Sequence, residues 1–492
     1  MELNKNFNVR NERNLTMLVD FYELTMGNGY LENGVGDKIA YFDMFFRKVP
    51  DDGGYCIMAG VTQLIEYLSS LKFTEEDIEY LKYKGCFSEK FLNYLRNFKF
   101  SCDVFAVPEG NPVFPNEPLV TVKGPAIQAQ FVETMILLTV NHQTLIATKA
   151  NRICRAANGR PVMEFGSRRA QGYDGAVYGS RAAVIGGCSA TACTISEEMF
   201  GIPAIGTMAH SWVQLFDNEY ESFKAWANVY PDNCLLLIDT YNVLKSGLPN
   251  AIKVFDEVLK PKGIRPVGIR IDSGDITYLT KKCRQILDDA GYPDAKITIS
   301  NSLDEHIITD VLAQGAKIDS FGVGERLITA KSEPVFGGVY KLVAIENNNI
   351  IVPKIKISEN EEKITNPGFK KIYRIFDKTT NKALADLITL NDEVIDETKT
   401  LEIFDPIYNW KKKKLKNYYI KDLHVQIFKN GKPIYESPAV SEIKSFAEEE
   451  TNKLWPEVLR LENPHNYYVD LSSKLWNLKQ NLLHSYSEIY EE

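Results

Sequence analysis

The chain has little of several features that mark common classes of protein. It contains only six histidines, and its eight cysteines include no CxxC pair, so we expect reduced and mostly buried thiols. An excess of positive charge is also missing, because the formal net charge is −8 at pH 7. A surface with this charge balance is not built to neutralise a phosphate backbone, so we expect no nucleic-acid partner.

Long apolar runs are absent as well. The N-terminal stretch MELNKNFNVRNERN has no apolar core of the kind that a secretory signal needs, and the longest apolar region, 131–140, contains Glu133. We expect no membrane association and a location in the cytoplasm. The chain does have length, because 492 residues at 44% hydrophobic suffice for a substantial core and roughly two to four domains.

Short apolar runs alternate with amphipathic stretches in the middle of the chain. One predicted helix ends at Gly291, and a second ends before Gly315 and starts at a capping box formed by Ser302 and Glu305. The alternation is typical of consecutive βα units, arranged either as a doubly wound sheet or as a (β/α) barrel. The apolar runs lie at 162–165, 203–206, 235–238, 267–271, 296–299 and 318–323.

The regions on either side of this core have a different pattern. Residues 1–125 contain strand-like segments around a helical stretch at 59–83, and the segments from 341 to 440 have the pattern of a meander of strands. A helical tail follows from Ser445. The sequence therefore predicts a βα core between two β-rich flanks.

Polar residues follow almost every predicted core strand, and three of them have no ordinary structural explanation. Helix caps and turns account for Ser, Thr, Asp and Gly at such positions, but not for Arg168, His210 and Arg270. In a parallel barrel the carboxyl ends of the strands converge on one mouth. Arginine there suits a planar anion or a phosphate, because its fork donates two parallel hydrogen bonds. We expect an anionic substrate.

Other strand-end residues leave alternatives open. Asp272 and Asp275 could accept hydrogen bonds from sugar hydroxyls or hold Mg²⁺ through water, although Asp275 is better explained as a residue that favours a helix start. Backbone amides near Gly322 and Gly324 could hold a phosphate. His210 could be a hydrogen-bonded core residue, a metal ligand or a nucleophile, and its sequence neighbours do not choose between these roles.

Seven short motifs, together with NPHNYYVDLS at 463–472, resemble the nicotinate phosphoribosyltransferase family. The resemblance implies an α/β fold: an irregular (β/α) barrel with a β-rich second domain formed from N- and C-terminal segments. We assign 1–140 to an N-terminal domain covering the site, 141–345 to the catalytic barrel, and 346–492 to a β-meander and helical tail that packs with the N-terminal domain. The seven motifs are FYELTM (21–26), FFRKVP (45–50), EFGSRRAQG (164–172), GTMAHSW (206–212), IRIDSGD (269–275), FGVGERL (321–327) and GGVYKL (337–342).

The resemblance also implies a reaction. Nicotinate and 5-phosphoribosyl 1-pyrophosphate would give nicotinate mononucleotide and pyrophosphate, with Mg²⁺ bound and ATP hydrolysed through a phosphohistidine. This reaction is the first step of NAD salvage from nicotinate. The resemblance further implies a homodimer with shared active sites.

Residue roles follow by position. His210 resembles the histidine that ATP phosphorylates, and a phosphoryl group there adds negative charge beside the sugar-pyrophosphate site. Asp272 resembles the carboxylate that faces the ribose and Mg²⁺, directly or through water. Arg168 resembles an arginine that binds phosphoribosyl pyrophosphate, and the amides of Gly322 and Gly324 are candidates for its phosphate.

The pyridine side of the site is implied in the same way. Tyr22 resembles an aromatic residue that covers the pyridine ring from a neighbouring subunit, and Phe165 the aromatic residue on the opposite face. Arg270 resembles the arginine that holds the pyridine-side anion. Ser189 occupies the position where relatives that use nicotinamide have an acidic residue. A carboxylate there would repel nicotinate, so Ser189 favours the acid as substrate.

One departure and three rival hypotheses remain. Many members have a small hydroxyl residue where this chain has Glu325, which either points away from the phosphate or moves the phosphate site elsewhere. The rivals are a nicotinamide phosphoribosyltransferase, a barrel glycosidase with Asp272 and Asp275 as its carboxylate pair, and a binding or regulatory homologue without turnover. The glycosidase hypothesis leaves His210 and both arginines unexplained.

Overall fold

The computed structural model describes residues 14–360 and 363–490. Contacts divide the chain into two compact units. The first contains the described residues of Met1–Thr144, Val335–Pro438 and Glu449–Glu492, and the second contains Leu145–Pro334 and Ala439–Glu448. The N-terminal stretch that favoured a cytoplasmic location lies, up to position 13, outside the described residues.

The helices and strands of the described residues are numbered here in chain order. The helices are α1 (Phe21–Glu32), α2 (Val61–Ser70), α3 (Glu75–Tyr83), α4 (Glu89–Arg96), α5 (Ala126–Phe131), α6 (Glu133–Ala156), α7 (Gly172–Ile185), α8 (Thr194–Phe200), α9 (His210–Gln214), α10 (Glu219–Val229), α11 (Leu248–Val254), α12 (Ile276–Asp289), α13 (Glu305–Ala313), α14 (Glu325–Ile328), α15 (Val440–Asn452) and α16 (Ser473–Tyr490). The strands are β1 (Ile39–Phe45), β2 (Cys56–Ile57), β3 (Asp103–Ala106), β4 (Pro112–Val113), β5 (Val120–Pro125), β6 (Val162–Glu164), β7 (Ala190–Thr191), β8 (Leu235–Leu237), β9 (Gly268–Ile271), β10 (Lys296–Ile299), β11 (Ser320–Val323), β12 (Val339–Asn347), β13 (Ile350–Pro353), β14 (Lys370–Asp377), β15 (Ala383–Leu390), β16 (Leu401–Phe404), β17 (Lys412–Leu415), β18 (Tyr418–Asp422), β19 (Val425–Lys429), β20 (Lys432–Pro433) and β21 (Val469–Leu471).

The first unit is built on a seven-stranded sheet with the order β13-β12-β1-β5-β3-β19-β20. The inner strand β1 pairs antiparallel with β12 and with β5 and is buried along nearly its whole length. Strands β1, β3 and β5 come from the N-terminal part of the chain, whereas β12, β13, β19 and β20 come from beyond the βα core. The predicted β-rich domain formed from both terminal segments is confirmed.

Buried ion pairs connect the segments of the first unit. Lys370 on β14 pairs with Asp43 on β1 at 2.9 Å, and both side chains are almost fully buried. Arg374, also on β14, pairs with Asp386 on β15 at 2.6 Å and donates to the carbonyl oxygen of Pro112 at 2.7 Å. Burial lowers the pKa of Lys370, and the charge of Asp43 opposes that shift. Removing one partner would leave a buried charge uncompensated, at a cost of about 3–5 kcal/mol.

The second unit contains a six-stranded parallel sheet with the order β7-β6-β11-β10-β9-β8. Five of the six predicted core strands are present, so the α/β class is confirmed. The sixth, 203–206, forms only a single bridge between Ala204 and Thr191 of β7, where Pro203 has no amide to extend the pairing. In the part of the chain that the structure describes, no strand pair joins β8 to this end of the sheet. The predicted barrel is therefore left open between 203–206 and β8.

The helix starts in this unit correct one prediction and support another. Asp275 caps α12, since its carboxylate accepts from the amide of Tyr278 at 2.8 Å, in agreement with the helix-start interpretation. The capping box at Ser302 is wrong. Helix α13 begins later, at Glu305, and the side chain of Asp304 accepts from the amide of Ile307 at 2.9 Å.

Three chain segments, the short stretch 141–144 and two longer ones, lie in a different unit from the domain that the sequence analysis assigns to them. Residues 335–345 belong to the first unit, because β12 pairs with β1. Residues 439–448 belong to the second unit, where Lys444 donates to the carbonyl oxygen of Cys188 at 3.0 Å. Both placements depend on contacts with distant parts of the chain, which a local pattern of helices and strands does not contain.

Two expectations about solubility and thiols can be compared with the structure. Within residues 14–360 and 363–490, no helix combines the length and the apolar character that crossing a membrane requires. The cysteines, all within the described residues, form no disulfide, and all of them except Cys86 and Cys154 are buried. The Sγ atom of Cys188 lies 3.9 Å from that of Cys154.

Helix α1 is held to α6 by a buried carboxylate. Glu23 accepts hydrogen bonds from the amide and the hydroxyl of Thr134, at 3.1 and 2.6 Å. Burial raises the pKa of Glu23 to about 8, and the charge of Glu133 acts in the same direction, although the hydrogen bonds from Thr134 oppose the shift. The first unit therefore contains a carboxyl group that is protonated well above its ordinary range.

We predict that Glu23→Gln flattens the pH dependence of stability. The folded-state pKa lies above the unfolded value of about 4.3, so the stability linked to this proton is complete at low pH and is lost as pH rises through 8. Between about pH 5 and about pH 9, the Tm of Glu23→Gln should fall less than that of the wild type. The exposed Glu79→Gln should behave like the wild type. Equal slopes for Glu23→Gln and the wild type would show that Glu23 does not titrate in this range.

Candidate functional site

A cavity of about 680 Å³ lies at the carboxyl ends of the parallel strands in the second unit. This is the edge at which the sequence predicts that functional residues collect. Its wall combines residues that follow β6, β7, β9, β10 and β11 with the loop that leads to α9. The lining residues are Phe165, Arg168, Arg169, Ala192, Ile205, Gly206, Thr207, Met208, Ala209, Arg270, Asp272, Ser300, Asn301, Ser302, Leu303, Gly324, Glu325 and Arg326.

The lining is positively charged although the whole chain is acidic. It contains four arginines, Arg168, Arg169, Arg270 and Arg326, and two carboxylates, Asp272 and Glu325. Opposite charges attract most strongly where water is partly excluded. The cavity is therefore suited to a ligand with several negative charges.

His210 begins α9 beside this cavity and is not a core residue, because 40% of its side chain is exposed. Its Nδ1 atom lies 3.1 Å from the hydroxyl of Thr240, which follows β8. Its Nε2 atom lies 3.8 Å from Oδ2 of Asp272. One ring nitrogen is thus engaged by a neutral hydroxyl group, and the other faces a carboxylate.

Asp272 is fixed by its neighbours on both sides. Its Oδ1 accepts from the hydroxyl of Ser300 at 2.6 Å, and its backbone amide donates to Asp239 at 3.1 Å. The same Asp239 oxygen accepts from the hydroxyl of Ser273 at 2.6 Å. The other oxygen of Asp239, Oδ1, is buried and has no hydrogen-bond partner among the described residues. The ends of β8, β9 and β10 therefore form one polar network.

Arg270 lies on β9, two residues before Asp272 of the polar network. Its Nη1 donates to the hydroxyl of Thr207 and, at 3.2 Å, to the carbonyl oxygen of Met208. Its Nε is buried and finds no acceptor among the described residues. Burial lowers the pKa of Arg270, whereas the nearby charges of Asp272 and Asp239 raise it. The guanidinium is thus hydrogen-bonded through Nη1, and its buried Nε donor has no acceptor among the described residues.

Glu325 lines the cavity, and both of its carboxylate oxygens contact basic side chains. Its Oε1 accepts from Lys331 at 2.7 Å, and its Oε2 lies 3.7 Å from Arg169. The hydrogen bond and charge of Lys331 lower the pKa of Glu325. The acidic residue that departs from the resemblance is therefore ionised and partly neutralised by two basic side chains.

A second cavity, of about 480 Å³ and mainly apolar, shares part of this wall. Phe165, Ile205, Gly206, Thr207 and Arg270 line both cavities. A flat ring placed there would meet an aromatic face and an arginine at the same point.

Glu164 fixes the turn that carries Phe165 and Arg168, and no functional role was predicted for it. Its carboxylate is fully buried and accepts from the amide of Gly166 and from the hydroxyls of Ser180 and Thr191, at 3.1 and 2.7 Å for the hydroxyls. Burial raises its pKa, although these hydrogen bonds oppose the shift. A buried acid inside a strand-like run is the sequence signal that points to such a role.

Some of the predicted site residues lie elsewhere. Ser189 is exposed at the amino end of β7, where its hydroxyl donates to the carbonyl oxygen of Val162 at 3.1 Å, and it lines neither cavity. Gly322 is buried within β11 against the ring of Phe165. Tyr22 lies on α1 in the first unit and is 42% exposed. Gly324 lines the larger cavity.

Comparison with known proteins then identifies the family. The family model of the nicotinate phosphoribosyltransferase (NAPRTase) N-terminal domain matches residues 17–141, and that of the nicotinate phosphoribosyltransferase C-terminal domain matches residues 369–479. A nicotinate phosphoribosyltransferase of Bacillus subtilis (strain 168) is 44% identical over 478 residues, which are 97% of this chain and 97% of the relative. The chain belongs to the nicotinate phosphoribosyltransferase family.

Other members of the nicotinate phosphoribosyltransferase family match over similar lengths. A relative of that name from Mycobacterium tuberculosis is 35% identical over 461 residues, covering 93% of this chain and 92% of its own. The crystal structure of the human nicotinic acid phosphoribosyltransferase superposes with a TM-score of 0.84 at 27% identity, covering 94% of this chain and 99% of the human one. The fold implied by the motifs is therefore confirmed.

We predict that Gly322→Ala destabilises the site. A Cβ at this position would lie 2.5 Å from a ring carbon of Phe165, so the ring or the strand must shift. Overpacking of this kind costs about 1–3 kcal/mol. Gly206→Ala, in the same wall, is the matched control, because its Cβ would have no neighbour within 4 Å. Urea unfolding measures both variants. Equal losses of stability in the two would contradict the packing role of Gly322.

Proposed function

We propose that the chain transfers the phosphoribosyl group of 5-phosphoribosyl 1-pyrophosphate to nicotinate. The products are nicotinate mononucleotide and pyrophosphate, and ATP hydrolysis is coupled to the transfer through a phosphohistidine at His210. This is the first step of NAD salvage from nicotinate. The observation that carries the proposal is a cavity lined by Arg270, Asp272 and further arginines, with Nε2 of His210 lying 3.8 Å from Asp272.

The charges of the cavity fit phosphoribosyl pyrophosphate. Arg168, Arg169 and Arg326 can each donate to phosphate oxygens through a planar fork. Arg326 is positioned for this by its ion pair with Asp304. Backbone amides near Gly324 add donors that carry no charge. The carboxylate of Glu325 is held by Lys331 at 2.7 Å, so it opposes phosphate binding less than a free carboxylate would.

The pyridine ring of nicotinate fits beside Phe165, and its carboxylate fits Arg270. The buried Nε of Arg270, which has no acceptor among the described residues, can donate together with Nη2 to two carboxylate oxygens. The amide group of nicotinamide has a single oxygen and no negative charge, so it cannot accept both of these hydrogen bonds as a carboxylate does. We propose that Tyr22 of a neighbouring copy covers the other face of the ring in a homodimer, as the family resemblance implies.

The transfer is a displacement at the anomeric carbon of the ribose. The pyridine nitrogen of nicotinate forms a bond to this carbon, while the bond from the carbon to the pyrophosphate oxygen breaks and the oxygen keeps the electron pair. Positive charge develops on the sugar as the bonds exchange. Asp272 is fixed by the hydroxyl of Ser300 and by the hydrogen bond that its backbone amide donates to Asp239. It therefore stabilises that charge without reorganising.

The carboxylates at the ends of β8 and β9 fit a magnesium ion. Asp272 and Asp239 offer hard oxygen ligands, and Oδ1 of Asp239 is buried with no partner among the described residues. Mg²⁺ usually binds through one or two carboxylates together with substrate phosphates. When bound, the ion neutralises charge on the pyrophosphate leaving group. No group of three or more His, Cys, Asp or Glu side chains in the described ranges forms a metal site without a substrate.

His210 has the geometry of a phosphoryl acceptor. The contact of Nδ1 with Thr240 at 3.1 Å orients the ring, and the partial exposure of the side chain gives ATP access to Nε2. A nucleophilic histidine needs such an orienting group and one open nitrogen. Because Asp272 lies 3.8 Å from Nε2, a phosphoryl group there places new negative charge directly beside the ribose and Mg²⁺ ligands. This proximity supports coupling between ATP hydrolysis and transfer.

The rival hypotheses have less support. Asp275 caps α12 through the amide of Tyr278, so it is not free to pair with Asp272 as a glycosidase would require. Ser189 does not line the cavities, so the preference for the acid over nicotinamide depends more on Arg270 than on Ser189. Because the chain retains His210, Arg168, Arg270 and Asp272, which loss of turnover would free to change, we also disfavour a binding protein without turnover. We propose that the enzyme acts in the cytoplasm.

We predict that His210→Ala removes the effect of ATP and keeps a basal reaction. Mononucleotide formation from nicotinate and phosphoribosyl pyrophosphate should be stimulated by ATP only in the wild type, because the variant has no acceptor for the phosphoryl group. Chromatography of mononucleotide and ADP measures both. His306→Ala, which lies on α13 away from the cavity lining, is the control and should keep the stimulation. ATP stimulation in His210→Ala would contradict the covalent role.

We predict that Lys331→Met weakens the binding of phosphoribosyl pyrophosphate. Without the ammonium group at 2.7 Å, the Glu325 carboxylate keeps its full charge at the cavity wall. Its repulsion should raise the KM for this substrate several-fold, with little change in the KM for nicotinate. Adding Glu325→Gln to Lys331→Met should restore the wild-type value. A double variant as weak as Lys331→Met would contradict the explanation.

A further inference from the structure

The loop Gly206–His210 holds Arg270 in place. Thr207 offers its hydroxyl oxygen and Met208 its backbone carbonyl to the same guanidinium nitrogen, Nη1 of Arg270. Among the described residues, these are the hydrogen bonds of the Arg270 side chain. The carbonyl of Met208 belongs to the backbone and does not depend on the side chain at that position. The hydroxyl of Thr207 is therefore the one acceptor of these two that a substitution can remove.

These two hydrogen bonds determine which edge of the Arg270 guanidinium remains available to a ligand. Because both acceptors engage Nη1, the Nε–Nη2 edge is left, and its Nε is buried without an acceptor among the described residues. That edge has the spacing of two carboxylate oxygens. Arg270 and Thr207 line the larger cavity and the apolar cavity together, at the place where the ring of Phe165 also reaches both.

Competing acceptors lie close to Arg270. Asp272 lines the larger cavity together with Arg270, and Asp239 accepts from the backbone amide of Asp272 at 3.1 Å. A guanidinium released from the loop could turn towards these carboxylates and pair with Asp272. The ligand carboxylate would then lose its partner, and Asp272 would lose part of its negative potential.

We infer that Thr207 is a positioning residue that fixes the guanidinium of Arg270 for the carboxylate of nicotinate and thereby sets the preference for the acid. The inference rests on the proposed function, since it assumes that nicotinate is the substrate. Thr207 does not touch the reacting atoms in this assignment. It acts by keeping Arg270 away from Asp272 and Asp239.

The test compares Thr207→Val, which keeps the shape and removes the hydroxyl, with Thr207→Ser, which keeps the hydroxyl. For Thr207→Val we expect the KM for nicotinate to rise roughly tenfold, as for a lost hydrogen bond to a charged group. The KM for phosphoribosyl pyrophosphate should change less than about twofold. Thr207→Ser should restore the KM for nicotinate. Thr309→Val, an exposed threonine whose hydroxyl bonds its own helix at Glu305, is the matched control.

The outcomes separate this inference from the proposed function. A rise confined to nicotinate in Thr207→Val, reversed in Thr207→Ser, supports the positioning role. An unchanged KM for nicotinate, or an equal loss for both substrates in Val and Ser variants alike, overturns it while leaving the proposed function intact. Absence of nicotinate turnover in the wild-type protein overturns the proposed function itself. Circular dichroism and Tm of each variant check that the fold is retained.

Discussion

Holding a partly buried arginine on β9, next to the edge strand β8 of the parallel sheet, is the constraint on which the site depends. The guanidinium of Arg270 is partly removed from water, and burial lowers its pKa, so its charge needs acceptors. The protein supplies two on Nη1, from Thr207 and Met208, and leaves Nε without a partner among the described residues. A buried donor of this kind is costly until an anion binds to it. In the proposed function, the preference for a carboxylate follows from this incomplete set of hydrogen bonds.

The same few residues connect the parts of the proposed reaction. The loop that grips Arg270 continues into His210, whose Nε2 lies 3.8 Å from Asp272. Asp272 is in turn fixed by Ser300 and Asp239, so hydrogen bonds connect the ends of three neighbouring strands. Charge placed on His210 is then felt at the ribose and at the pyrophosphate with little distance between them. Energy coupling in this account needs no large conformational change within the second unit.

The sequence predicts the strands and the polar residues at their ends better than it predicts how they are closed and capped. The runs at 162–165 and 296–299 become strands because apolar residues between turn signals have few alternatives. The open edge at 203–206 depends on Pro203 and on pairing with a distant strand. The capping of α13 by Asp304 instead of Ser302 depends on which side chain reaches the amide of Ile307. Thr240 and Asp239 gain roles only from contacts with neighbouring strand ends, and Lys331 gains its role from the side-chain contact with Glu325. A local sequence pattern assigns none of these roles.

The most direct measurement of the central claim is a product assay with nicotinate and nicotinamide offered in turn to the wild type and to Arg270→Met, each with phosphoribosyl pyrophosphate and Mg²⁺. The account predicts that the wild type forms mononucleotide from nicotinate and very little from nicotinamide. It also predicts that Arg270→Met loses most of this discrimination, because the carboxylate has lost its buried partner. Equal use of both pyridines by the wild type, or full discrimination by Arg270→Met, would show that Arg270 does not select the substrate.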